Sequence, residues 1–225
     1  MIADPLYLIV AGLALIASRT AGFMLQKRFA EYSQSPIGLT GKQVAEKMLH
    51  ENGIEDVEVI SVAGQLTDHY NPAKKTVNLS DPVCHQANVA AAAVAAHECG
   101  HAVQHAKAYA PLTFRSAIVP VVSISSKFMQ WVILAGVVMA ASGSTTVLWI
   151  GVAMFAATTL FSIITLPVEF DASRRALKWL DQSNVVSGAQ HEQAASALKW
   201  AASTYVVAAL ASIGQLLVFL RYLRR

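Results

Sequence analysis

Charged residues are scarce in this sequence, because Asp, Glu, Lys and Arg together make up only 14% of its 225 residues. A typical soluble domain contains roughly 25% of such residues. Hydrophobic residues make up 55% of the chain, and its mean hydropathy is +0.45. This composition argues against an ordinary soluble domain and is typical of an integral membrane protein.

The sequence also has a small net charge and few cysteine residues. The formal net charge is +3, and the basic residues do not cluster with aromatic residues, which argues against nucleic-acid binding. Cys84 and Cys99 are too few for a disulfide framework. We interpret Cys99 as a small packing residue, and this cysteine content is compatible with a reducing, cytosolic exposure.

Long apolar stretches predict a mainly α-helical membrane bundle of about four helices, with a small α/β element before a metal-binding helix. The first stretch lacks a basic leader, since Asp4 is its only early charge, so we expect a retained anchor rather than a cleaved signal peptide. The expected segments are an N-terminal membrane helix at 1–28, a small cytoplasmic α/β element at 29–88, an active-site helix at 89–116, a membrane helical hairpin at 117–166, a third-ligand helical segment at 167–200, and an apolar helix with a basic tail at 201–225.

An alanine-rich run contains His97, Glu98 and His101 in the order H-E-x-x-H. Alanine favours helix, and no proline interrupts residues 90–108, so this run is predicted to be helical. Residues four apart project from one helix face, so the two histidines can direct their imidazoles at one ion. Imidazole nitrogens are common ligands of zinc. Glu98 points roughly 100° away around the helix, where it could reach a water molecule as a general base, and Gly100 would allow close packing beside the ligands.

A catalytic zinc site with two histidines needs a third protein ligand, often a carboxylate. Glu169 is the best candidate, because two membrane crossings return the chain to the side that it left, and we expect a helix to begin near this residue. Asp171 is the alternative ligand, although it would face another way on a helix and could instead interact with the helix dipole. His105 continues the helix face of His101, but we interpret it as lying outside the ligand set.

The polar segment before the motif is predicted to form a small α/β element. Thr40 can cap a helix over residues 41–51, and residues 57–62 and 76–79 are predicted to be strands. A strand edge beside the metal helix could pair with an extended peptide, and an ordinary small sheet is equally compatible with the pattern. We interpret residues 67–70 either as turn formers or as partners of the metal ligands.

The sequence AAHECGHAVQH, followed by TLPVEFDASRRAL, resembles the YugP-like membrane zinc metallopeptidases of bacteria. The resemblance extends through GLTGKQVAEKML, LTDHYNP, LTFRSAIVP and AASTYVVAAL, and therefore covers nearly the whole chain. The combination of H-E-x-x-H with E-F-x-A is more distantly similar to the HtpX and CAAX prenyl protease superfamily, in which a glutamate of the second motif completes the zinc site.

This resemblance implies a zinc site with three protein ligands, namely His97, His101 and Glu169. It also implies that Glu98 is the general base. The wider superfamily usually has Asp four residues after its glutamate, whereas this chain has Ser173. Asp171 is therefore a candidate to replace that aspartate.

Basic residues suggest an orientation in the membrane. Lys27 and Arg28 follow the first apolar stretch, and Arg174 and Arg175 follow the hairpin, so the positive-inside rule places both site-bearing segments in the cytoplasm. The three arginines of the C-terminal RYLRR contradict a simple arrangement of four spans.

We therefore expect a zinc metalloendopeptidase that hydrolyses peptide bonds at the cytoplasmic face of the plasma (inner) membrane, with Zn²⁺ as its cofactor. The expected partners are a peptide or protein substrate, including membrane proteins, the lipid bilayer and an unidentified membrane subunit, but not nucleic acid. The alternative is a catalytically inactive adaptor that a metal stabilises. Glu98 discriminates between them, because a structural metal site has no use for an unliganded carboxylate beside the metal.

Overall fold

A computed structural model describes residues 5–223 of the chain, and this part is mainly helical. Its elements in chain order are α1 Pro5–Tyr32, α2 Gly41–Glu51, β1 Glu58–Val62, β2 His69–Asn71, β3 Thr76–Ser80, α3 Asp81–His85, α4 Val89–Ala106, α5 Ala110–Ala141, α6 Thr146–Gln182 and α7 Ala189–Leu223. The prediction of a mainly α-helical chain with a small α/β element and four long apolar helices is confirmed.

The described residues fold into two compact units. The first, which we call the apolar-helix unit, comprises residues 5–20, 113–166 and 204–223. The second, which we call the α/β unit, comprises residues 21–112 and 167–203. The motif helix and the predicted third ligand both belong to the α/β unit, so this unit contains every predicted site residue.

The apolar-helix unit is built from parts of α1, α5, α6 and α7, each of which is long and apolar enough to cross a membrane. Large apolar side chains on these helices are exposed, and Trp131 is 68% exposed. A lipid environment would cover such side chains. Helix α5 ends at Ala141 and α6 begins at Thr146, which confirms the predicted hairpin with its short turn. A Cβ at Gly136 would lie 2.5 Å from Leu148 Cα, so the two helices of the hairpin pack closely.

The sheet of the α/β unit has three strands in the order β1-β3-β2. Strand β1 is parallel to β3, and β2 is antiparallel to it. All five residues of β3 are buried, so the central strand belongs to the core. The strands predicted at 57–62 and 76–79 are confirmed as β1 and β3. Strand β2 was not predicted, because its three residues are too few to show an alternating pattern.

Helix α2 begins and ends where the sequence predicts. The Thr40 side chain accepts a hydrogen bond from Gln43 N, and Gln43 Oε1 accepts one from Thr40 N, so both halves of a capping box are present. Asn52 follows the last residue of the helix. The face of α2 that packs into the core consists of Val44, Ala45, Met48 and Leu49.

Helix α4 carries the H-E-x-x-H motif through the core of the α/β unit. The Asn88 side chain caps it by accepting a hydrogen bond from Ala91 N, and 14 of its 18 residues are buried. The expected helical segment at 89–116 is interrupted, because α4 ends at Ala106 and α5 begins at Ala110. Ala108 between them has a φ of 49°, which is incompatible with a continuous right-handed helix.

Helix α6 contains the predicted third ligand within a long helix rather than at the start of one. The expectation that a helix begins near Glu169 is wrong, because α6 is helical from Thr146 to Gln182. Pro167 normally disfavours a helix interior, since it lacks an N–H and crowds the preceding turn. Here it lies inside the helix without ending it. Helix α7 is likewise continuous across residue 200.

Gly100 allows α4 and α6 to lie in direct backbone contact within the α/β unit. A Cβ at residue 100 would lie 2.6 Å from Ala172 O, closer than real Cβ atoms approach other atoms. The buried alanines of α4 have small side chains, so the rest of this helix also carries little side-chain volume. This contact brings residues 97–101 next to residues 169–173, so a side chain at position 100 would separate the two site-bearing segments.

We expect Gly100→Ala to lower the unfolding temperature of the detergent-solubilised protein and to weaken its metal binding. The overpacking should cost about 1–3 kcal/mol, which exceeds the gain of at most about 1 kcal/mol from replacing a helical glycine by alanine. Gly38→Ala is the matched control, because a Cβ there meets nothing within 4 Å. Equal unfolding temperatures and metal contents for the two variants would contradict the importance of this contact.

Candidate metal centre

Three predicted site residues form a compact cluster inside the α/β unit. His97, His101 and Glu169 each offer one ligand atom, and these atoms all lie within 4.8 Å of one another. Glu169 Oε2 lies 3.3 Å from His97 Nε2 and 3.6 Å from His101 Nε2. The Glu169 residue is only 2% exposed. The structure therefore brings together two imidazoles and a buried carboxylate from helices that are far apart in the sequence.

The spacing and chemistry of this cluster fit a zinc ion. Ligand atoms about 2.1 Å from a tetrahedrally coordinated zinc lie about 3.4 Å from one another, close to the observed separations of 3.3 and 3.6 Å. Two nitrogens and one carboxylate oxygen are donors that zinc accepts, and a set of three leaves one tetrahedral position open. The cluster could therefore hold zinc in the manner of a catalytic site.

Gln104 orients the ring of His101. The Gln104 Nε2 donates hydrogen bonds to Val168 O at 2.8 Å and to Asp171 Oδ2 at 2.9 Å, which fixes the orientation of the amide. Its Oε1 lies 3.0 Å from His101 Nδ1 and can only accept, so Nδ1 carries the proton. Nε2 of His101 then presents its lone pair towards Glu169, as a metal ligand requires.

Ser173 holds the other histidine. Its Oγ lies 3.1 Å from His97 Nδ1, which leaves His97 Nε2 facing Glu169. The residue that departs from the superfamily pattern therefore still contacts the ring of a candidate ligand. Hydrogen-bond partners of this kind fix the orientation of histidine ligands and increase their affinity for metal.

Asp171 lies outside the ligand cluster. The structure thus disfavours the alternative in which it is the third ligand. Its carboxylate accepts hydrogen bonds from Gln104 at 2.9 Å and from Arg175 at 2.6 Å, and it also pairs with Arg174. Because Gln104 in turn contacts His101, Asp171 supports the centre indirectly through the amide.

Glu98 lies beside the cluster but is not part of it. The residue is only 8% exposed, and its Oε2 accepts a hydrogen bond of 3.0 Å from the main-chain N–H of Tyr70 in β2. This contact agrees with the predicted direction of Glu98 around the helix. The strand that was missed in the sequence thus fixes the carboxylate, and the only signal for it was the polar, aromatic character of residues 67–70.

Tyr70 contacts α4 a second time through its phenol group. The hydroxyl lies 2.9 Å from His105 Nδ1, so His105 bonds to the strand rather than joining the three-residue cluster. Burial raises the pKa of the Tyr70 phenol above its usual value, and the nearby charge of Asp56 contributes in the same direction. The phenol therefore remains protonated at neutral pH and can donate a hydrogen bond.

The electrostatics of the cluster favour a positive charge. Burial disfavours the imidazolium form of His101, but its hydrogen bond with Glu169 and the charge of Glu98 outweigh this effect and raise its pKa. The same carboxylates would attract a metal cation. Cys99 contributes no ligand atom to this cluster, because its Sγ contacts Ala45 O at 3.5 Å, and burial raises the pKa of its thiol well above the usual value.

Comparisons with known proteins agree with this chemistry. The family described as "Putative neutral zinc metallopeptidase" matches residues 7–224 of the chain. The "Putative membrane protease YugP" of Bacillus subtilis (strain 168) is 38% identical over 216 residues, which cover 95% of this chain and 94% of that protein. No solved structure matches the chain.

Proposed function

The chain belongs to the "Putative neutral zinc metallopeptidase" family, and from this premise we propose that it is a membrane-embedded zinc metalloendopeptidase. Its substrates are peptide bonds of proteins or peptides, including membrane proteins. The observation that carries this proposal is the placement of Glu98 beside the cluster of His97, His101 and Glu169, because a hydrolytic centre needs both a metal site and a base.

We assign the three ligand roles to His97, His101 and Glu169. Zinc bound by them supplies a Lewis acid that polarises the carbonyl of the substrate and lowers the pKa of a nearby water molecule. Ser173 and Gln104 keep the two imidazole rings in orientation. The short contacts between Glu169 and both imidazoles support its role over that of Asp171.

Glu98 acts as the general base in this proposal. Its carboxylate takes a proton from the attacking water molecule and returns a proton to the amine that leaves when the peptide bond breaks. The hydrogen bond from Tyr70 N holds Oε2, and a carboxylate has further acceptor capacity for water. The same bond also gives Glu98 a way to stabilise the fold, so the alternative of a catalytically inactive, metal-stabilised adaptor has a specific observation behind it.

We further propose that the site-bearing unit lies on the cytoplasmic side of the plasma membrane. Four helices are long and apolar enough to cross a bilayer. Lys27, Arg28, Arg174 and Arg175 belong to the α/β unit, and short segments next to membrane spans that carry such charges remain in the cytoplasm. An additional membrane subunit is compatible with this arrangement.

The ligand assignment predicts the metal content of purified variants. His97→Ala and Glu169→Ala should lose the single zinc that the wild-type protein binds, because each removes one of three ligands. Asp171→Asn is the matched control and should retain zinc, with affinity reduced at most about tenfold through its contact with Gln104. Metal analysis by mass spectrometry would check this. Full retention of zinc by Glu169→Ala would transfer the third-ligand role to another residue.

The assignment of Glu98 predicts that Glu98→Gln keeps zinc but loses proteolysis. An amide oxygen can still accept the hydrogen bond from Tyr70 N, so the fold and the metal ligands should be unaffected. Loss of a general base typically reduces the rate by about 100- to 10,000-fold. Casein cleavage by detergent-purified protein would be measured beside zinc content for both forms.

Equal cleavage by wild-type and Glu98→Gln protein would exclude this role for Glu98. If zinc-loaded wild-type protein cleaves neither casein nor membrane-protein substrates, the adaptor function is favoured instead. The adaptor function also predicts that Glu98→Gln protein is as stable as the wild type, because the glutamine side chain preserves the contact with the strand.

The orientation can be tested by labelling single-cysteine variants in intact cells with a membrane-impermeant maleimide, in a background without Cys84 and Cys99. Cysteine at position 42, an exposed lysine of α2, should react only after the cells are permeabilised. Cysteine at position 142, in the turn of the hairpin, should react from outside. The opposite pattern would reverse the orientation.

A further inference from the structure

A groove of about 820 Å³ lies in the α/β unit away from the metal ligands. Its walls come from the end of α1, the loop between β1 and β2, and the segment around α3 and the start of α4. The lining residues are all neutral, and four of them are glutamines, namely Gln26, Gln34, Gln65 and Gln86. Its volume is within the range of about 300–1,000 Å³ for ligand sites.

The glutamines make the groove suited to an uncharged polypeptide. Among residues 5–223, the side-chain amides of Gln26, Gln34 and Gln65 form no hydrogen bond with the protein, and all three residues are exposed. An amide both donates and accepts, and so complements the N–H and C=O groups of a peptide main chain. Phosphate or carboxylate ligands would instead require cationic partners, which the lining lacks among the described residues.

The loop between β1 and β2 connects the groove to the metal centre. Gln65 and Leu66 line the groove, and Leu66 is 51% exposed although its φ of 55° is unusual for a leucine. Asp68 fixes the end of this loop by accepting hydrogen bonds from Ser80 N at 2.7 Å and from Ser80 Oγ at 3.0 Å. The loop therefore presents an apolar side chain at the groove from a defined position.

The next residues of the same chain reach the candidate base. Tyr70 N donates to Glu98 Oε2 at 3.0 Å. Tyr70 lies four positions after Leu66, so their Cα atoms lie at most about 14 Å apart. An extended peptide advances about 3.3 Å per residue. A substrate whose scissile bond lies at Glu98 would thus reach the groove within about four residues of that bond.

We propose that this groove is an extended subsite, which binds an uncharged segment of the substrate main chain beginning within about four residues of the scissile bond, on one side of it. The inference rests on the proposed peptidase function, because it takes the substrate to be an extended polypeptide that passes Glu98. The glutamine amides bind its main chain, and Leu66 packs against an apolar side chain at the edge of the groove. The protein would accordingly select long, unfolded segments over short peptides.

Peptide binding to zinc-loaded, full-length Glu98→Gln protein in detergent would test the subsite without requiring turnover. The probes are two pools of fluorescein-labelled peptides made of Ala, Ser, Gln, Asn and Leu, twelve or six residues long. Six residues centred on Glu98 reach only about 10 Å to either side, whereas twelve reach about 20 Å and so cover more of the groove. We expect the twelve-residue pool to bind at least tenfold more tightly, as measured by fluorescence anisotropy.

Two further changes in the Glu98→Gln protein should impair the groove in different ways. Gln34→Ala combined with Gln65→Ala deletes two amides, whereas Ala87→Trp fills the groove from an exposed lining position. Loss of two hydrogen bonds at about fivefold each should weaken binding of the twelve-residue pool about 25-fold in the double variant. Ala87→Trp should also weaken it at least tenfold, and both changes should leave zinc content unaltered. Gln182→Ala is the matched control, because this exposed glutamine lies outside the groove.

The outcomes separate the subsite from the proposed function. If both altered proteins bind the twelve-residue pool as tightly as the Gln182→Ala control, or if length gives no gain in affinity, the subsite is overturned. If the length-dependent binding disappears in both altered proteins, the subsite is supported, even where zinc-loaded wild-type protein cleaves no peptide. That last result would count against the peptidase function alone.

Discussion

The metal centre depends on the close backbone contact between α4 and α6 at Gly100 and Ala172. His97 and Glu169 are separated by 72 residues in the sequence, and their side chains can meet only if the helices that carry them lie close together. A Cβ at residue 100 would lie only 2.6 Å from the Ala172 carbonyl oxygen. The ligand cluster, the contact of Ser173 with His97 and the bonds of Gln104 to α6 all follow from this approach.

Burial of charge makes the centre and the fold interdependent. Glu169 is almost completely buried, and a buried carboxylate is costly unless it is paired and hydrogen-bonded. Its Oε2 lies against the imidazoles of His97 and His101, and a metal ion held by all three residues would add positive charge beside it. The negative charge of Asp171 is compensated by Arg174 and Arg175, which both pair with it. Asp171 is thus paired outside the cluster, whereas Glu169 contacts the two imidazoles within it.

The sequence predicted those features that depend on local patterns. The spacing of His97 and His101, the cap of α2 at Thr40 and the four apolar helices are all properties of short segments, and the structure confirms them. The sequence did not predict β2 or the continuation of α6 through Pro167, because tertiary contacts determine both. Ser173 was recognised as a departure from a family pattern, but its contact with His97 depends on the packing of two distant helices.

The proposed hydrolytic function gives the burial of Glu98 beside the metal cluster a direct explanation. Three ligands and an ion would suffice to join α4 to α6, yet the fold also buries the carboxylate of Glu98 beside them. Within residues 5–223, its only hydrogen bond comes from Tyr70 N. A single bond compensates poorly for burying a carboxylate, which can accept several. The cost is understandable if the remaining acceptor capacity is used by water, in which case strand β2 holds the carboxylate of the base in position through Tyr70 N.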